Sequence, residues 1–301
     1  MKTKDWLLFW LLGLIWGTSF LWIKIAVADV NPLVLVGFRT MFASLGLAIA
    51  VWLNRKNMPT WKELRKRIPD FVILAIFNIS LPWALISWGE QYIDSGVASI
   101  LNSAMPLFTI IIAPLMISEE RITLPRVAGL ITGFLGVVIL MAPSIRGGWN
   151  ENLIGQAACL LSTVFYAFAT VYARKKSQGL PPQLQAFLQL SIGSGIIWFF
   201  VFIIEKPLVL PQLPLTWLAL LWLGLLGSCL AYILYFDLLH KIGPTRMSLV
   251  TYIPPLVGVL LGIIFLGEVF YWQSILGALL ILSGISIVNM RVKSKATVET
   301  Q

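Results

Sequence analysis

The chain is short of the groups on which most enzyme chemistry rests. It has one histidine and two cysteines in 301 residues. Cys159 and Cys229 stand apart in apolar runs without metal-type spacing, which leaves no usual zinc site and no reason to pair. Both read as small packing residues. No P-loop occurs, so ATP is not the direct energy source. No serine has a plausible His–acid partner set. We therefore expect no catalytic residue, no metal and no cofactor. Charge is scarce as well, at 12% of residues, against about 25% in a soluble domain.

What the chain has is apolar length. Hydrophobic residues make up 58% of it and the mean hydropathy is +0.88. A membrane span needs about 20 mostly apolar residues. Ten such runs are present, at about 6–27, 33–53, 71–91, 96–116, 124–142, 153–173, 183–204, 215–238, 246–266 and 273–290. They are unbroken and lack the alternation of a barrel strand. In hydrocarbon a helix satisfies its own backbone. The fold class expected is an all-α integral membrane protein of ten transmembrane helices.

The hydrophobic half occurs twice. A shift of 148 positions puts Pro106 on Pro254, Glu120 on Glu268, Gly129 on Gly277 and Gly136 on Gly284. Each half holds five spans, an odd number, so the second copy enters the bilayer from the other side. Inverted repeats of this kind enclose a substrate site near mid-membrane. The polar link 143–152 joins the halves. This divides the chain into a first five-helix repeat (1–146), a second, inverted repeat (147–290) and a basic tail (291–301). Gly129, Gly133, Gly136, Gly277 and Gly284 sit at helical spacing and let backbones approach closely. They suit packing within one chain or an interface between two, so a monomer and a homodimer both stay open.

The net charge of +9 comes from topology. Of 22 Lys and Arg, 18 fall at the ends and at alternate loops, among them the run Arg55 to Arg67, Arg121, Arg126 and Arg174 to Lys176. The opposite loops hold Arg146 and Lys206. This positive-inside pattern places both termini in the cytoplasm of a multi-pass inner-membrane protein. The basic run meets anionic lipid. No basic face exists apart from the membrane edge, which excludes a nucleic-acid partner. Ala26-Val27-Ala28 superficially resembles a signal-peptide cleavage site, but the apolar run before it is too long and no cleavage is expected.

Several stretches carry a family likeness. Trp16-Gly17-Thr18-Ser19-Phe20 is followed by Lys24, and Phe38-Arg39 lies in the second span. The run from Gln91 to Leu101 leads into Pro106-Leu107-Phe108-Thr109, then Glu119-Glu120-Arg121, then Gly129 and Gly133 to Val137. The second half repeats the theme with Pro254, Gly267-Glu268, Gly277 and Gly284. Nearly the whole chain resembles the EamA-type branch of the drug/metabolite transporter superfamily. The resemblance implies two inverted five-helix repeats around a cavity lined by helices 1, 3, 4, 6, 8 and 9. It also implies a small-metabolite substrate, often an amino acid, and export.

Polar groups inside a bilayer are costly, so they face a cavity or a partner. The substrate-binding candidates are Trp16, Ser19, Asn78, Trp83, Asn102, Tyr166, Tyr232 and Tyr252. Uncharged amides and hydroxyls beside rings suit an amphipathic or zwitterionic metabolite. Other span hydroxyls, such as Ser162 and Thr163, bond their own helix at least as readily. Pro82, Pro106, Pro254 and Pro255 interrupt helices and are candidate hinges. Lys24, Arg39, Glu90, Glu120, Asp237 and Glu268 are the charge or coupling candidates. Lys24 is expected to snorkel to the interface. Arg39 is the deepest charge, but the resemblance implies a peripheral second helix, which favours a structural role. Glu120 and Glu268 each precede a helix and are read first as helix-dipole partners. Glu90 and Asp237 lie near span ends and His240 at an interface, leaving no acid at mid-membrane. A toxic-compound exporter is the alternative reading. A non-transporting scaffold or receptor is the alternative of another class.

Overall fold

The computed structural model describes residues 3–53, 58–118, 120, 123–146, 150–242 and 247–288. Arg55, Lys56, Arg121, the tail 291–301 and the side chain of His240 lie outside the described residues. Among those residues every regular element is helical. In chain order the helices are α1 (Thr3–Val27), α2 (Pro32–Leu53), α3 (Trp61–Gly89), α4 (Ser95–Met116), α5 (Leu124–Arg146), α6 (Glu151–Lys176), α7 (Pro182–Ile204), α8 (Pro214–Tyr235), α9 (Leu249–Leu266) and α10 (Trp272–Val288). The last turns of α8 run on within a segment Ala231–Ile242. We call the side on which α1 begins the near face and the other the far face. The short connections make successive helices antiparallel. As the odd span count requires, the second repeat is inverted.

One boundary differs from the sequence reading. The apolar run was placed at about 71–91, but α3 starts ten residues earlier, at Trp61, and continues unbroken into it. The Thr60 side chain accepts from the Glu63 N–H while the Glu63 carboxylate accepts from the Thr60 N–H, a complete capping box. Once nucleated there, the helix continues through Pro69 without a break.

Helical regularity fails at corresponding places in the two repeats. π-helical segments occupy Ala75–Ser80 in α3 and Trp222–Leu230 in α8, positions related by the 148 shift. α4 is broken at Ser103–Ala104, just before Pro106, and α9 begins with a 3-10 turn at Ser248–Tyr252, just before Pro254. A proline at a second helical position has no N–H to leave unpaired. Pro82, Pro106 and Pro254 all stand at such starts.

The glycines reveal the symmetry directly. A Cβ on Gly129 would lie 2.5 Å from the Gly284 carbonyl, and one on Gly136 would lie 2.6 Å from the Gly277 carbonyl. The shift relates Gly129 to Gly277 and Gly136 to Gly284. Each glycine thus touches the counterpart of the other, the reciprocal contact that a two-fold axis demands. The axis passes between α5 and α10, which are antiparallel. These glycines are used within the chain. The outer faces expose Leu115, Ile131, Ile264 and Phe265, as hydrocarbon solvent requires.

Inserting a side chain at the axis overpacks two backbones at once. Gly136→Leu should cost about 1–3 kcal/mol and lower the melting temperature in detergent. Gly195→Leu, where no atom lies within 4 Å of a built Cβ, should leave it unchanged.

Candidate functional site

The most unusual side chain in the bundle is Arg39. It projects from the middle of α2 and is 8% exposed. Its Cζ sits 3.7 Å from the centroid of the Trp83 ring, a cation–π contact with α3. Its Nε donates to Ser228 Oγ at 3.1 Å, within the π segment of α8. That hydroxyl donates in turn to the Leu223 carbonyl. The groups that Arg39 senses electrostatically are Tyr166 from α6, Tyr232 from α8 and Glu90 at the end of α3. Beside them the Asn78 amide donates to Gln189 Oε1 at 2.9 Å and approaches the Tyr232 hydroxyl at 3.5 Å. Five helices therefore deliver one cation, three aromatic rings and two amides to one place. The π segments explain how: an extra residue per turn turns Asn78 and Ser228 onto this face, the use such bulges commonly serve.

The structure brings Asn78, Trp83, Tyr166 and Tyr232 together around Arg39. It puts the other candidates elsewhere. Trp16 packs on Tyr235 with ring centroids 5.7 Å apart. Ser19 donates to its own helix at the Ile15 carbonyl. Asn102 lies at the break in α4, its buried Oδ1 without a donor among the described residues. Tyr252 accepts from Ser286 of α10. Asp237 pairs with Lys241 one turn on, both of them about half exposed. Pro82 and Pro255 are buried and Pro106 and Pro254 partly so. Ser162 and Thr163 bond their own helix.

Two charged side chains find their partners in other helices. Lys24 reaches the far-face connection after α3, where its Nζ donates to the carbonyls of Glu90 and Ile93, at 2.7 and 2.8 Å. The end of α3 lies within reach and its free carbonyls attract a cation. Glu268 does complement a helix N-terminus, but that of α4 rather than its own following helix. It accepts from the Ser95 N–H at 2.7 Å and from the Gly96 N–H at 3.1 Å. Gly267, with φ 67°, ends α9 in a left-handed turn that aims Glu268 back across the far face. Gly262 leaves the room that this carboxylate fills. The matching Glu120, at the near face, instead pairs with Arg174 and Arg126 at 2.6 and 3.0 Å. Arg174 first, then Arg126, holds the Glu120 carboxyl below its usual range.

The EamA-like transporter family profile matches residues 4–142 and 153–290, once per repeat. The chain belongs to the EamA-like transporter family. An uncharacterized transporter of Archaeoglobus fulgidus is 30% identical over 95% of this chain and 98% of its own length. Protein PagO of Salmonella typhimurium is 30% identical over 84% of this chain and 82% of its own. A solved crystal structure superposes with a TM-score of 0.66 at 20% identity, covering 96% of this chain and 98% of the other, which supports the fold.

In this EamA-like transporter the candidate site lies where the repeats meet, ringed by α2, α3, α6, α7 and α8. One of its members escaped the sequence reading. Gln189 was visible as an amide in the apolar run of α7, a costly residue to place in lipid. Ser228 was visible only as one hydroxyl among many.

The Glu268 latch predicts a measurable change in access. Hydrogen bonds to a charged group are worth about 1.5–3 kcal/mol each, and Glu268→Ala removes two. A cysteine placed at Ser99, beneath the latch, should react with a water-soluble maleimide at least about tenfold faster in Glu268→Ala than in the parent, by the same energies. Glu268→Gln should fall between. Equal rates would show that packing of α4 on α9 alone closes this face.

Proposed function

We propose that this EamA-like transporter carries a small organic metabolite, an amino acid or related amphipathic compound, out of the cell by alternating access. Its place is the inner membrane with both termini in the cytoplasm, in keeping with the near-face positions of Arg67, Arg126 and Arg174. It acts without chemical conversion of its cargo. A monomer suffices, because the axis glycines are already occupied by one another.

The observation that carries the substrate reading is the Arg39 guanidinium. Trp83 covers one face and Ser228 takes Nε, while among the described residues no group accepts from either Nη. That leaves the paired donors that a carboxylate fits. The rings of Tyr166 and Tyr232 and the Asn78–Gln189 pair supply the apolar wall and polar contacts of a metabolite pocket. A cationic drug would meet a like charge here, which ranks toxic-compound export second. Alternating access rests on two bridges between the repeats: Glu268 takes the α4 amides at the far face, and its counterpart Glu120 takes Arg174 of α6, as well as Arg126, at the near face. Two conformers related by the pseudo-two-fold would exchange these roles.

The test is flux in liposomes containing the purified protein, over a panel of labelled amino acids and their carboxamides. Saturable flux is expected for a carboxylate-bearing member. Arg39→Ala should lower it about 10- to 100-fold, the scale of a charge-assisted pair, with little effect on the carboxamide. Arg39→Lys should be intermediate, since it keeps charge but loses the fork. Equal losses for acid and amide would remove Arg39 from the binding role.

A further inference from the structure

Among the described residues Glu90 is the one buried charge-bearing side chain that neither the packing nor the site around Arg39 accounts for. It follows α3 at the far face and is 0% exposed. Among the described residues neither carboxyl oxygen has a hydrogen-bond partner. Buried acids normally find donors, and one left without them is expensive to ionise. Lys24 is beside it, yet the ammonium is spent on the Glu90 and Ile93 carbonyls. The ion pairs found are Arg126–Glu120, Arg174–Glu120 and Lys241–Asp237, and Glu90 is in none of them.

The groups facing Glu90 come from every side. Lys24 belongs to α1 and Arg39 to α2, while Glu268 follows α9. Cys159 of α6 senses Glu90 as well. Asp94, in the same connection, senses Glu268 and Lys24. Glu268 already brings one negative charge, which its two amide donors and the α4 N-terminus compensate. A second carboxylate would find no hydrogen-bond donor among the described residues, so only the through-space attraction of Lys24 and Arg39 would act against the cost of taking it out of water. The uncharged acid is the form this arrangement accommodates.

We propose that Glu90 is a proton-binding site of the transport cycle: it holds a proton while the far face is latched and releases it to water when the latch opens. The O–H bond of the Glu90 carboxyl breaks, the proton passes to far-face water, and the Lys24 ammonium swings from the two carbonyls onto the carboxylate left behind. No electron moves, and the site loses one positive charge. Relatching would reverse each step. The latch is what links the proton to the cycle, because Glu268, Ser95 and Gly96 cover the same end of the bundle as Glu90. The coupling would set the direction of net flux under a pH gradient. That part rests on the transport reading, but the protonation state does not.

The two parts are separable by experiment on the full chain in liposomes. Infrared spectra at pH 7 should contain the carbonyl band of a protonated acid that Glu90→Gln removes. Lys24→Met should hold that band to at least tenfold lower proton concentration, because the counter-ion of the ionised form is gone. Glu268→Ala should weaken it, because the open face admits water. Glu90→Gln swaps one uncharged group for another of like shape and should fold and melt as the parent does at pH 7. Failure to fold would therefore overturn the neutral acid. So would a spectrum in which Glu90→Gln removes only a carboxylate band. If the acid band is present but the pH dependence of net flux survives Glu90→Gln, coupling is overturned while substrate transport stands. If no panel compound is moved, the band and its Lys24→Met shift still decide whether Glu90 holds the proton.

Discussion

A guanidinium far from water needs partners, and the interior of this transporter is arranged around supplying them to Arg39. A lone charge in a low-dielectric setting costs several kcal/mol or more. Here α2 contributes the cation, α3 the Trp83 face and α8 the Ser228 hydroxyl. Those partners come from both repeats, so the charge ties the halves together. Among the described residues these contacts engage one face and one nitrogen. The proposed carboxylate site rests on the planar fork that a guanidinium offers.

The closeness that brings these side chains together is a property of small residues. At Gly89 and Gly155 each built Cβ would stand under 3.0 Å from the other's carbonyl, locking α3 to α6. At Gly224 it would meet Phe42 at 2.5 Å, locking α8 to α2. Cys159 and Cys229 fill the gaps beside Gly89 and Gly46, which is why two lone thiols sit in apolar helices. In lipid no hydrophobic effect drives helices together, so such backbone proximity carries the packing. It also explains why the fold tolerates irregular helices at its centre. The π segments of α3 and α8 are held from outside by close-packed neighbours and spend their irregularity inward.

Much of this was legible in the sequence, and the reason is geometric. Span count, inversion and the axis glycines all follow from apolar run length and from a shift that needs no gap. The rings and amide around the site were visible for the same reason, since polar atoms in a span have few innocent explanations. What escaped depends on register between distant helices. Nothing local says that Lys24 reaches the end of α3, or that Glu268 crosses to α4. Arg39 was placed at the right depth but credited to structure, because one helix alone does not tell which way its side chain faces. Glu90 was placed near a span end, where water is the default. Its burial comes from α1, α6 and the turn after α9 closing over it.

The unequal fates of Glu120 and Glu268 carry the dynamic argument. The two residues are related by the repeat, and a symmetric bundle would use them alike. Instead Glu268 caps α4 across the repeats with two amide bonds, and Glu120 is pinned by Arg126 and by Arg174 of the second repeat. Related elements thus join the repeats at the two faces through different partners. The free-energy gap between the sides need only be small, a few kcal/mol, for cargo or a proton to tip it. The same two-fold axis that builds the bundle therefore places a carboxylate at each face, and the proposed cycle would use both.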